Sequence, residues 1–150
     1  MLKEGDKAPD FKLQSDADET VSLKDFKGRK VVLYFYPKDN TPGCTREAQD
    51  FRDAMPQIQA RNAVVLGVSK DSVKAHQKFK AQQCLPFTLL SDPDGTVISA
   101  YDAWKKKSMY GKTFMGIERS TVIIDAQGRV LKHFTKVKVQ GHVEEVLAAL

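Results

Sequence analysis

The chain carries two cysteines, Cys44 and Cys84, and the first sits where a sulfur can react. Thr41-Pro42-Gly43-Cys44 closes a stretch that opens with Tyr34-Phe35-Tyr36-Pro37. Threonine caps helices well, because its hydroxyl can accept a backbone N–H of the first turn. Proline suits the first helical position, where its missing N–H costs nothing. That register makes Cys44 the third helical residue, beside free N–H groups and the positive end of the helix dipole. A thiolate is favoured there, so Cys44 is expected to be reactive. The other reading of Cys44 is a small buried side chain without chemistry.

The elements that must position this cysteine follow from the pattern around it. Cys44, Ala48, Phe51, Met55 and Ile58 are spaced by four, three, four and three residues and share one apolar helix face. Residues 30–36 form a β-branched and aromatic run that reads as a central strand ahead of that helix. Pro56 falls within the helical pattern and is expected to kink the helix or end it early. Residues 63–69 read as a second buried strand. Asp71 is the expected cap of a helix running to about Gln83.

Further along, residues 87–90 read as a short strand, closed by the turn Ser91-Asp92-Pro93-Asp94-Gly95. A short helix is expected near 97–103, then an extended loop to 118. Residues 119–125 and 129–135 read as strands joined by Ala126-Gln127-Gly128, and Val143, Val146, Leu147 and Leu150 mark a closing helix. Ahead of the main fold, residues 11–14 and 20–23 read as a small hairpin about Ser15-Asp16-Ala17-Asp18. Alternating strands and helices predict an α/β fold around a mixed sheet, with the site at the carboxyl end of a central strand.

The string Tyr-Pro-Lys-Asp-Asn-Thr-Pro-Gly-Cys-Thr-Arg-Glu-Ala at 36–48 resembles the active-site signature of the peroxiredoxins, in their bacterioferritin comigratory protein or peroxiredoxin Q branch. The resemblance covers nearly the whole chain. It starts at Gly5-Asp6-Lys7-Ala8-Pro9-Asp10-Phe11 and continues through Leu85-Pro86-Phe87 and Leu90-Ser91-Asp92. It resumes in Lys107-Ser108-Met109-Tyr110-Gly111 and in Met115-Gly116-Ile117-Glu118-Arg119-Ser120-Thr121. It implies a single thioredoxin-like domain over residues 1–150 and a peroxidase of hydrogen peroxide and alkyl hydroperoxides. It implies no metal or organic cofactor, with reducing equivalents from thioredoxin or another thiol donor.

Peroxide chemistry needs a thiolate, which attacks one oxygen and becomes a sulfenic acid as the O–O bond breaks. Cys44 is the expected nucleophile. One turn before it, the Thr41 hydroxyl can hydrogen-bond the peroxide, a task that competes with capping. The N–H groups of Gly43 and Cys44 can stabilise the developing charge as an oxyanion hole does. A fixed cation is also wanted, and composition cannot choose it among 24 lysines and arginines. The resemblance chooses Arg119. It also gives Glu47, which shares a helix face with Cys44, the task of holding that arginine. The competing role for Glu47 is a first-turn acid facing the helix dipole. Pro37 is expected to shield the thiolate from water, and it also ends the strand.

The second cysteine departs from the family pattern. Relatives carry a resolving cysteine five residues after the nucleophile, where this chain has Gln49, or one helical turn before Cys84, where it has Lys80. Cys84 reads either as a displaced resolving cysteine or as a packed thiol in a one-cysteine enzyme. A Cys44–Cys84 disulfide needs Cα atoms within about 7 Å. It is therefore expected to require unwinding of the first turn of the Cys44 helix or the end of the Cys84 helix.

Composition bounds the alternatives. The length of 150 residues suits one domain with its own core. The net charge of +5 comes from dispersed lysines, with Lys105-Lys106-Lys107 the one run, so a solvated face is favoured over nucleic-acid binding. The chain is polar from its opening residues and has no apolar run of membrane-spanning length, so neither a leader nor a membrane partner is expected. Two cysteines are too few for a secreted disulfide scaffold, which points to a cytoplasmic protein. His76, His133 and His142 are dispersed and none pairs with a cysteine at zinc-site spacing, so no metal site is expected. No Cys-x-x-Cys occurs, against a thioredoxin-type dithiol enzyme. Rival classes are a sensor or binding module on the same fold, oxidised without turnover, and a nucleic-acid binder. The resemblance favours a monomer, with a dimer open.

Overall fold

The computed structural model describes residues 2–150. Its elements, in order, are β1 (Lys12–Ser15), β2 (Thr20–Ser22), a 3-10 turn (Leu23–Phe26), β3 (Lys30–Phe35), α1 (Pro42–Ala60), β4 (Ala63–Ser69) and α2 (Val73–Gln83). There follow β5 (Thr88–Ser91), α3 (Thr96–Ala100), β6 (Trp104–Met109), β7 (Lys112–Ile117), β8 (Ser120–Ile124), β9 (Val130–Phe134) and α4 (His142–Ala149). Seven strands form one sheet in the order β2-β1-β5-β4-β3-β8-β9. The β3–β4 and β4–β5 pairs are parallel, whereas β3–β8 and β8–β9 are antiparallel, so the sheet is mixed as expected.

The sheet is covered on both faces. One face packs Val32, Tyr34 and Tyr36 against Cys44, Ala48, Phe51 and Ile58 of α1, Phe79 of α2 and Val146 of α4. The other packs Val31, Leu33 and Phe35 against Phe11, Ile98 and Tyr101. Alternation along β3 decides which residues face α1, because successive strand side chains point to opposite faces. Tyr34 stacks on Phe51 with 4.6 Å between ring centroids. Gly67 in β4 lies directly under Tyr34, and a Cβ there would come 3.0 Å from its ring.

Several expectations need correction. Of the two outcomes expected at Pro56, the early end does not occur, since α1 runs on to Ala60. Pro56 lies on the exposed side, where the carbonyl it leaves without a donor can reach water. The cap of α2 is Ser72, whose hydroxyl accepts from Ala75 N at 3.1 Å. Asp71 instead accepts from Asp39 N at 2.8 Å and from Ser69 Oγ at 2.6 Å. The amino-terminal hairpin forms as expected, and it also joins the main sheet, since β1 pairs with β5 through Gln14–Ser91 and Ser15–Leu90. The helix near 97–103 is shorter, ending at Ala100. The segment expected as an extended loop is the β6–β7 hairpin, turned at Tyr110-Gly111. Its lysine-rich strands lack the alternation that marks a half-buried strand, so periodicity alone missed them.

Candidate active site

The site lies where β3 ends. After Phe35 the chain passes through Tyr36 and Pro37 to Thr41, the N-cap of α1, and Pro42 takes the first helical position. Thr41 has the extended backbone of a cap, but its hydroxyl donates to Lys38 O at 2.8 Å and caps no N–H. The expected competition between capping and substrate contact therefore does not arise. The first helical donor is Thr45 N, bonded to Thr41 O at 2.8 Å. Gly43 and Cys44 thus lie among the first-turn N–H groups that a helix leaves without internal partners.

Cys44 is the third helical residue, as the register requires, and only 2% exposed. Arg119 reaches it from the link between β7 and β8. Its Nη2 lies 3.4 Å from Cys44 Sγ, and its Nη1 donates to Glu47 Oε1 at 2.6 Å. One guanidinium therefore spans the thiol and the carboxylate. The backbone beneath it is pinned by Val137 N, which donates to Arg119 O at 2.9 Å, and by Glu118 N, which donates to Ala103 O at 2.8 Å. Gly43 leaves room for the second guanidinium nitrogen, since a Cβ there would stand 3.3 Å from it.

Glu47 is not an exposed dipole-facing acid. It is fully buried, and its Oε2 has no protein donor among the described residues. Burial pushes its carboxyl up to about 7, against the downward pull of Arg119. Burial also tends to lower Arg119, but the charges of Glu47 and Cys44 outweigh it and hold the guanidinium above its ordinary value. Tyr34 beneath them is raised by its own burial, then by Glu47 and Cys44, and stays neutral. Pro37 is exposed at the end of β3.

Cys84 lies outside this cluster. It is an exposed thiol at the C-cap of α2, in the left-handed conformation with φ +53°. Its neighbour Gln83 is clasped by α1: Gln49 Nε2 donates to Gln83 Oε1 at 2.9 Å, and Arg52 Nη1 donates to Gln83 O at 2.9 Å. Position 49, one of the two resolving positions of relatives, is thus in contact with the residue next to Cys84. Lys80, the other, points elsewhere and pairs with Asp16 at 2.9 Å.

One buried cluster carried no sequence signal. Asp39, Asp71 and His76 bring their ligand-type atoms within 4.8 Å of one another, although the histidines are dispersed in the sequence. These donors already bind each other. His76 Nδ1 meets Asp39 Oδ2 at 2.6 Å, and Tyr36 OH donates to Asp39 Oδ1 at 2.5 Å. His76 Nε2 lies 2.9 Å from Leu90 O, a carbonyl that can only accept, so that nitrogen carries a proton. The network ties the loop before Cys44 to α2.

Comparison with known proteins identifies the family. The AhpC/TSA family model matches residues 4–133. Peroxiredoxin Bcp of Bacillus subtilis is 53% identical over 146 residues, which span 97% of this chain and 93% of that protein. The bacterioferritin comigratory protein of Xanthomonas campestris, studied for its alkyl peroxide reduction activity, superposes with a TM-score of 0.91 at 43% identity, over 99% of this chain and 95% of that one. A cysteine variant of Xylella fastidiosa peroxiredoxin Q superposes with a TM-score of 0.93 at 42% identity, over 99% and 94% of the two chains. Among the described residues no helix is long and apolar enough to cross a membrane. The match runs over nearly the whole chain and the thioredoxin-like α/β fold is shared, so the chain belongs to this family: it is an AhpC/TSA-family peroxiredoxin of the Bcp or peroxiredoxin Q branch, a thiol-dependent peroxidase.

Proposed function

We propose that Cys44 is the peroxidatic cysteine, with Arg119 as its cation and Glu47 as the residue that positions Arg119. The observation that carries this is the guanidinium bridge, 3.4 Å to Cys44 Sγ and 2.6 Å to Glu47 Oε1. A peroxide oxygen entering beside Sγ meets a fixed positive charge and the first-turn N–H groups of α1. Both stabilise negative charge as it builds on the leaving oxygen. The thiolate sulfur bonds to one oxygen, the O–O bond breaks, and the leaving oxygen takes a proton to depart as water or alcohol. Cys44 is left as a sulfenic acid. The Thr41 hydroxyl contacts the peroxide, and Pro37 limits the water reaching the sulfur.

Cys84 then resolves the sulfenic acid. Its sulfur bonds to Cys44 Sγ, the S–O bond breaks, and the thiol proton leaves with the hydroxyl as water. The exposed thiol at the left-handed C-cap of α2 supports this role, because the last turn can open once Gln49 and Arg52 release Gln83. A protein dithiol such as thioredoxin completes the cycle. One donor thiolate bonds to an enzyme sulfur and displaces the other. The second donor thiol then displaces the enzyme thiolate, leaving the donor as a disulfide. The enzyme acts on hydrogen peroxide and alkyl hydroperoxides, in the cytoplasm, as a monomer and without a metal or organic cofactor.

The test is intact mass after one equivalent of hydrogen peroxide with a sulfenic-acid trap present. The expected result is loss of two hydrogens in the wild type and a trapped adduct on Cys44 in Cys84→Ser. Adducts on Cys44 in both proteins would make this a one-cysteine enzyme. An unmodified Cys44 in both would remove it from the chemistry.

A further inference from the structure

The geometry points to the β6–β7 hairpin as the docking surface for the protein thiol donor, and to a donor with an acidic, partly apolar face. This rests on recycling by an external dithiol, as proposed above. Between Ala103 and Glu118 the chain has four lysines, Lys105, Lys106, Lys107 and Lys112, and no acid. Lys105 is engaged by Asp102 at 2.7 Å. Of the five exposed large hydrophobic side chains among the described residues, four lie on this hairpin: Met109 at 57%, Tyr110 at 97%, Phe114 at 45% and Met115 at 51%. Aromatic residues and methionine are the side chains enriched in protein interfaces, and redox encounters use small ones.

The turn residue gives a second, independent reason. Tyr110 has φ +53° and Gly111 φ +77°. A two-residue turn with both φ positive favours Asn-Gly, because asparagine tolerates the left-handed region. A tyrosine there is strained and almost fully exposed, so local stability does not select it. An exposed ring kept at a strained turn is the ground for assigning it a contact outside this chain.

Position and register say what the surface is for. Trp104 and Ile117 pair at the hairpin base, where Ile117 is buried and Lys70 Nζ sits 4.8 Å from the Trp104 ring centre. Two residues beyond Ile117 stands Arg119, against Cys44. The hairpin therefore springs from the segment that carries Arg119. Paired residues share a face, and the pairs are Lys106 with Met115 and Lys107 with Phe114. Each face mixes a cation with an apolar group. That suits a protein with acids around an apolar patch better than a bilayer, which takes one wholly apolar face. A second copy of this chain, also at +5, is opposed by charge.

The experiment is steady-state peroxidase kinetics with two donors: a thioredoxin of net negative charge, coupled to its NADPH-dependent reductase, and dithiothreitol. The variants are Tyr110→Asn, which suits the turn and removes the ring, and Lys106→Glu with Lys112→Glu. The expected result is a KM for thioredoxin raised about tenfold in each, the size expected when one anchoring contact is lost. Dithiothreitol-supported turnover stays unchanged, and Tyr110→Asn melts no lower than the wild type. Salt raises the KM of the wild type more than that of the double lysine variant. Wild-type turnover with thioredoxin but an unchanged KM in both variants overturns the docking surface alone. So does a Tyr110→Asn effect confined to anionic vesicle binding or to self-association. No thioredoxin-supported turnover of the wild type overturns the donor reading, and the surface with it.

Discussion

Replacing Glu47 by glutamine tests the electrostatics of the site directly. Glu47 is buried, donates nothing while ionised, and accepts one bond, from Arg119 at 2.6 Å. Its Oε2 finds no protein donor among the described residues, and burial lifts the carboxyl from 4.5 to about 7. At 1.36 kcal/mol per pH unit, that rise is worth about 3 kcal/mol. The sign follows from proton binding. Between pH 4.5 and about 7 the folded chain holds the Glu47 proton and the unfolded chain releases it. Stability from this group is therefore complete below the unfolded value and is lost as pH rises through the folded one. Glutamine cannot titrate. Urea unfolding of wild type and Glu47→Gln across pH 4.5 to 8 reads the difference. The variant should gain on the wild type by about 3 kcal/mol over the window. Curves that stay parallel, or a wild type that gains as pH rises, would show that Arg119 offsets the burial of the carboxylate and would refute the argument.

Three further outcomes follow from named contacts. Arg119→Lys keeps a charge but loses the fork that spans Cys44 and Glu47, so the rate constant for Cys44 oxidation should fall about 10²-fold, read by stopped flow on Trp104 fluorescence; a rate near wild type would remove Arg119 from transition-state stabilisation. Asp39→Asn leaves the buried His76 without its charged partner and should cost about 3 kcal/mol in urea unfolding, whereas an unchanged midpoint would mean that the pair contributes nothing net. Gly67→Ala drives a methyl to within 3.0 Å of the Tyr34 ring and should destabilise by about 1–3 kcal/mol, an expectation that a stable variant with Tyr34 unmoved would refute.

Local and periodic features were legible in the sequence. Strands β3 and β4 and helices α1 and α4 stand where residue type and spacing put them, because burial of one stripe or one strand face is written in the order of the residues. The placement of Cys44 at the third helical position was legible for the same reason, from proline, glycine and a capping-type residue before it. Where the sequence misled, a nearby residue could do the same task. Ser72 and Asp71 are both good caps, and the demand of Asp39 N and Ser69 for an acceptor settled which one was free. Pro56 breaks a helix only where the freed carbonyl has no other partner, and its exposed position supplies water.

The contacts that make the site depend on distance through space, which no periodicity records. Arg119 lies 75 residues from Cys44, and composition left it one of 24 cations until family resemblance selected it. Sheet topology brings it there, since β8 pairs with β3 and so sets the start of β8 beside the first turn of α1. The burial of Glu47, the Asp39–His76 pair across 37 residues, and the clasp of Gln49 on Gln83 were decided in the same way. The sequence by itself determined the periodic elements and the place of Cys44 at a helix start, because those are short-range effects of shape and polarity. Only the tertiary structure decided which charge faces that sulfur, because strand order and register are set by the packing of the whole sheet.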